Sequence, residues 1–157
     1  MTAYGEGTKV DVDQTIRQIK KMLIEKLGAR QIQTTEDYDA GIASLMFGFN
    51  KFVYKMQVTI PDLGDDEYHY TPQKRIKRSA KAALGAWQTA VRQRWRSIWL
   101  RVRCLVDLVE LGDANAVHQM LLGYIVLPGG QTTYDYYTPQ LEQAYKDKKM
   151  PKLLLPG

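Results

Sequence analysis

Ten lysines and arginines, Lys74, Arg75, Lys77, Arg78, Lys81, Arg92, Arg94, Arg96, Arg101 and Arg103, lie between Tyr68 and Val106 with no aspartate or glutamate among them. The whole chain has a formal charge of only +5, so the rest of it is net acidic. Gathering one sign of charge costs self-repulsion, and a polyanionic partner relieves it. Arginine predominates in the second half of this stretch. Its planar fork makes paired contacts with phosphate and stacks on bases in ways a lysine ammonium does not. The chemistry suggested is capture of nucleic-acid phosphates, with Trp99, Tyr68 and Tyr70 as stacking faces for unpaired bases.

No signature of catalysis accompanies that charge. His69 and His118 are far apart, Cys104 has no sequence-local partner, and no His or Cys cluster has metal-ligand spacing. No Gly-rich loop precedes a Lys-Ser or Lys-Thr pair. Asp62, Asp65, Asp66 and Glu67, next to His69, are the one carboxylate group that could hold a divalent metal for nuclease work. Their spacing matches no known cation loop and turns favour aspartate in any case, so a solvated acidic loop is expected. No cofactor is expected. Cys104 sits in an apolar helical pattern and reads as a small core residue, and His118 as a partly buried histidine on an apolar helix.

The elements that must position the basic residues follow from periodicity. Asp11 with Gln14 has the form of a capping box, Ile16, Ile19, Leu23 and Leu27 recur at spacings of three or four, and Gly28 suits a left-handed C-terminal position, which predicts a helix over 11–27. Strict alternation marks strands over 41–49 and 52–60, joined by a tight hairpin at Asn50 and Lys51. A further strand around 29–36 precedes a turn over Asp37 to Gly41. Residues 61–78 read as a surface connection. Ser79 then caps a long helix over about 80–111, and Gly112 and Asp113 divide it from a second near 113–123. Tyr124 to Leu127 extends before the Pro128-Gly129-Gly130 turn, Thr138-Pro139 opens a last helix to about Lys148, and the leucines of the 150–155 tail would dock on the body. The expectation is a single α+β domain over residues 1–157, in which an N-terminal helix and a three-stranded antiparallel sheet pack with a long basic helix, followed by short C-terminal helices.

On a wheel of the long helix, Trp87, Val91, Trp95, Ile98, Val102, Leu105, Val106 and Val109 share an arc of about 100° that would face the sheet. Arg92, Arg96 and Arg103, and Arg78 if it is helical, form a ridge just past the Trp99 edge of that stripe; Arg94 and Arg101 border the opposite edge. Exposed helices ordinarily intersperse glutamate with lysine to gain i,i+4 pairs. This helix forgoes them along most of its length. Trp87 and Trp95 are expected in the core, Trp99 partly exposed, and Arg92 and Arg96 exposed.

Thr71-Pro72 through Arg78-Ser79, Ala90-Val91-Arg92-Gln93-Arg94-Trp95-Arg96, Leu127-Pro128-Gly129-Gly130-Gln131-Thr132, Pro139-Gln140, Ala144-Tyr145 and Met150-Pro151 with Leu153-Leu154 form a distinctive set. In these motifs the chain resembles a group of small phage and prophage proteins of unassigned function, a likeness that transfers no catalytic residue and implies a host bacterial cytoplasm. No apolar run approaches the roughly 20 residues of a membrane span, and the N-terminus lacks a signal-peptide core. Together these observations lead to an expected phage-encoded nucleic-acid-binding accessory protein of replication or recombination. It would bind single-stranded DNA in preference, through Lys74, Arg75, Lys77, Arg78, Arg92, Arg96 and Arg103, with Trp99 at the rim. The alternative is a protein-binding module that inhibits a host enzyme or defence factor through its basic face. A self-assembling structural subunit is a third reading. Inhibitors that imitate DNA are acidic, so a pI near 9.2 favours the first.

Overall fold

A computed structural model describes residues 4–5, 8–73 and 76–151. The first helix, α1 (Val12–Leu27), is capped at Asp11, whose carboxylate accepts from the Gln14 amide at 2.7 Å, and ends at Gly28 in the left-handed conformation, φ 67°. Three antiparallel strands follow in the order of the chain: β1 (Arg30–Asp37), β2 (Ile42–Phe49) and β3 (Phe52–Thr59). Phe49 pairs with Phe52 across the Asn50-Lys51 turn, where Asn50 takes a positive φ of 60°. Near its start β1 carries an irregularity between Arg30 and Gln33, opposite Gly48. A Cβ on Gly48 would lie only 3.0 Å from the Arg30 carbonyl oxygen, so the close approach of the two strands favours glycine there.

The connector holds a single helical turn, α2 (Asp66–His69), and an isolated antiparallel bridge between Tyr70 and Lys77. Ser79 accepts from the Ala82 amide and starts α3 (Ala80–Glu110), 31 residues or about 46 Å of helix. Helix α4 (Ala114–Leu121) is capped by Asp113 and runs into a 3₁₀ turn at Leu122–Tyr124. The last helix, α5 (Thr133–Asp147), begins at the Thr132 cap, six residues before the expected Thr138. Pro139 lies inside it. A proline is most at home in the first turn, which is why it reads as a start; here the helix continues through it without the bond from residue 139 to the Asp135 carbonyl.

Helices α1 and α3 run side by side in the same direction, with Gln18 against Arg96 near the middle and Lys26 against Glu110 at the end. Both cover one sheet face. Ile19 and Leu23 of α1, Leu45 and Phe47 of β2, Tyr54 and Met56 of β3, and Trp95, Ile98 and Val102 of α3 form the core. Trp95 is fully buried, as expected, and its indole Nε1 has no hydrogen-bond partner among the described residues. Trp87 is only half-buried: it packs on the core cluster while its indole donates to the Pro61 carbonyl at 2.7 Å, since α3 overruns the end of the sheet there. Cys104 is exposed, because it falls on the side of α3 away from both α1 and the sheet. His118 is exposed as well and stacks on Phe49 at 6.3 Å between ring centroids. Met150 is 90% exposed, and the leucines at 153–155 lie outside the described residues. No described helix is long and apolar enough to cross a membrane.

Candidate nucleic-acid interface

The structure separates the arginines of α3 into two groups according to the flank they occupy. On the flank toward α1, the chain preceding that helix passes across α3 and takes up the ridge. Arg92 donates from Nε to the Thr8 carbonyl at 3.3 Å and from Nη2 to the Thr89 hydroxyl at 2.8 Å. Arg96 donates from Nη1 to the Gln18 amide oxygen at 2.8 Å and from Nη2 to the Tyr4 hydroxyl at 3.5 Å. Its guanidinium carbon also sits 4.0 Å from the centre of the Trp99 ring, and Tyr4 lies parallel to that ring at 6.1 Å. Arg92 and Arg96 are therefore half-buried rather than exposed. Trp99 keeps its expected rim position, but the Arg96 guanidinium lies over its ring and Tyr4 lies alongside.

Arg78 does not join the ridge. It precedes the Ser79 cap and is not helical; its amide donates to the His69 carbonyl at 2.6 Å, and Nη1 reaches the Glu67 and Tyr68 carbonyls at 3.5 Å. Arg103 is exposed and pairs with Asp107 at 3.2 Å. Lys77 is exposed, while Lys74 and Arg75 lie outside the described residues. Of the expected stacking faces, Tyr68 is buried and Tyr70 half-buried.

The opposite flank is open. Arg94 is exposed and makes no hydrogen bond or ion pair among the described residues; Arg101 reaches only the Ser97 hydroxyl, at 3.5 Å. Both line a cavity of about 640 Å³ shared with Gln57, Val58 and Thr59 of β3 and bordered by Tyr4 of the N-terminal segment. Arg94 also lies near Tyr68, whose carbonyl meets Arg78, so α2 brings a connector arginine and a helix arginine onto one side of the molecule. Burial and the neighbouring Glu67 hold the Tyr68 phenol up to about 12, against a smaller downward pull from the Arg94 charge. Sequence reasoning ranked Arg94 and Arg101 below the ridge. Their wheel position marked them as bordering the stripe, but only the helix order shows that α1 covers the other border.

Electrostatically, the helix stays uncompensated. Among the described residues the only ion pairs are Arg103 with Asp107 and Lys26 with Glu110. Among the described residues, every other arginine contact on α3 is to a carbonyl, an amide oxygen, a hydroxyl or an aromatic ring, none of which cancels its charge. The first turn of α3 holds no acid and carries Lys81, so the positive end of the helix dipole adds to the same potential. In the acidic loop, Asp62 accepts from the Gly64 amide at 2.8 Å and His69 pairs with the Leu63 carbonyl at 2.8 Å, and no group of three possible metal ligands occurs among the described residues. Comparison with known proteins finds no matching family model, no matching curated protein and no matching solved structure.

Proposed function

We propose that this protein binds nucleic acid through the basic surface of α3 and its preceding connector. Phosphates are met by the guanidiniums that nothing else engages fully, Arg94 and Arg101, together with Arg78 and Lys77. The observation that carries this reading is that, among the described residues, Arg103 alone of the α3 arginines meets a carboxylate; Arg92, Arg96 and Arg101 bond to neutral groups and Arg94 to none, so almost none of their charge is cancelled. Arg92 and Arg96 contribute field from beneath the N-terminal segment and become direct contacts only where that segment shifts. Such contacts position a strand without reading its sequence. A phage-encoded accessory role in replication or recombination, in a host bacterial cytoplasm, suits this chemistry and the resemblance of the motifs.

A titration with short single-stranded and duplex DNA at several salt concentrations tests the reading. Neutralising about four phosphates should make log affinity fall with log salt at about 0.7 per contact for single strands. Absence of salt-sensitive binding to single-stranded DNA, duplex DNA and RNA near about 50 mM salt would overturn it.

A further inference from the structure

Part of β3 is an unpaired sheet edge. The Ile60 amide donates to the Gly41 carbonyl at 2.8 Å, so the backbone groups of Tyr54, Met56 and Val58, which share its parity, turn toward β2. On the other side the Val126 amide meets the Val53 carbonyl at 2.8 Å, and the ladder there ends at the isolated Tyr54–Ile125 bridge. The same alternation aims the N–H and C=O groups of Gln57 and Thr59 outward, where no backbone group pairs with them among the described residues. Both residues are exposed.

The surroundings give this edge a charge preference. A cavity of about 500 Å³ beside Lys55, Gln57, Tyr124 and Tyr134 meets the α3-side cavity of Arg94 and Arg101 at Gln57, which lines both. Asp135 is the one acid in either lining, against Lys55, Arg94 and Arg101. Cations beside a free edge repel an identical edge from a second copy. They attract carboxylates. Alternating N–H and C=O groups are completed by another peptide backbone, whereas a phosphodiester offers acceptors alone and would leave the outward carbonyls facing negative charge.

We propose that the edge at Gln57 and Thr59 accepts an extended acidic segment of a partner protein as an added strand, with alternate side chains placing carboxylates against Arg94 and Arg101. This site does not depend on nucleic-acid binding, and its test reads a different signal. Amide exchange of the full-length chain is followed by NMR with and without a peptide of alternating glutamate and valine. Saturating peptide should slow exchange at Gln57 and Thr59 about tenfold or more, whereas a lysine–valine peptide should leave both unchanged. Gln57→Pro removes an outward N–H that the sheet does not use, at the kind of edge position where proline is tolerated, and should weaken peptide binding about tenfold. If that variant fails to fold, the wild-type exchange decides. No peptide binding, binding without protection of those two amides, or their protection by single-stranded DNA and not by the acidic peptide would overturn the proposal.

Discussion

On the flank of α3 that faces α1, Arg92 and Arg96 are half-buried and bonded to residues 84 and 78 positions away, whereas on the opposite flank Arg94 is exposed and Arg101, among the described residues, reaches only Ser97, one turn back. All four are arginines on the same helix within ten residues of one another. Their availability differs because chain packed elsewhere covers one flank and leaves the other open. A guanidinium already holding a carbonyl and a hydroxyl must release them before it can meet a phosphate; one with no partner gives up only solvent and rotamer freedom. The difference teaches that density of basic residues locates a charged surface, while tertiary contacts decide which charges are free to bind.

The most damaging change should be one that removes the wall between the flanks. Trp95→Ala empties a fully buried site and should cost about 3 to 5 kcal/mol in chemical denaturation, enough to loosen both flanks together. Trp95→Phe deletes the indole N–H that has no partner among the described residues, and it should cost clearly less than the alanine variant. Equal losses for the two would show that an aromatic ring at this site adds nothing to the packing of the core.

Next in size is the binding contrast. Arg94→Gln with Arg101→Gln should weaken single-stranded DNA binding about tenfold per charge near 50 mM salt and flatten the salt slope by about 0.7 for each. Arg92→Gln with Arg96→Gln removes the same formal charge and should change both quantities less. Equal effects of the two pairs would erase the distinction between a covered and an open flank.

Stability should show the reverse order. Arg96→Ala loses the Gln18 bond, the contact with Trp99 and the anchor of Tyr4, and should cost about 1 to 2 kcal/mol, discounted for its partial exposure. Arg94→Ala, at a side chain that is exposed and unbonded among the described residues, should stay within about 0.5 kcal/mol of the parent. Thermal melts of the two variants under identical conditions provide the measurement.

Much of the fold is legible in the sequence because its signals are local. The Asp11 cap, Gly28, the Asn50-Lys51 turn and the alternation from Phe52 to Ile60 each specify their own backbone, and all appear where the spacing places them. The start of α5 is misread because Pro139 imitates a first-turn residue while the true cap, Thr132, is an ordinary threonine after a Gly-Gly turn. The site is less legible. Wheel angles show which arginines border the core stripe, but covering Arg92 with Thr8 and Arg96 with Gln18 depends on α1 lying along one side of α3. Placing Arg94 beside Tyr68 depends on a one-turn helix with almost no periodic signal.

The smallest expected effect lies under the open flank, at high pH. Tyr68 is buried against α3, and its phenol is pushed up to about 12 by burial first and then by Glu67, while the nearby Arg94 charge pulls the other way. Tyr38 is also raised to about 12, in its case chiefly through its hydrogen bond to Glu36. An unfolded tyrosine loses its proton near 10, so between about 10 and 12 the unfolded chain releases protons that the native chain still holds. Stability is therefore complete below about pH 10 and declines as pH rises toward 12. Tyr68→Phe should make that decline shallower and leave the part due to Tyr38. Arg94→Gln removes the downward pull and should move the Tyr68 titration, followed by ultraviolet absorbance difference against the phenylalanine variant, to still higher pH. Arg92→Gln, on the covered flank, should leave it in place. An unmoved Tyr68 titration in Arg94→Gln would mean that the Arg94 side chain points away from α2, and the grouping of Arg78 and Arg94 on one surface would fail with it.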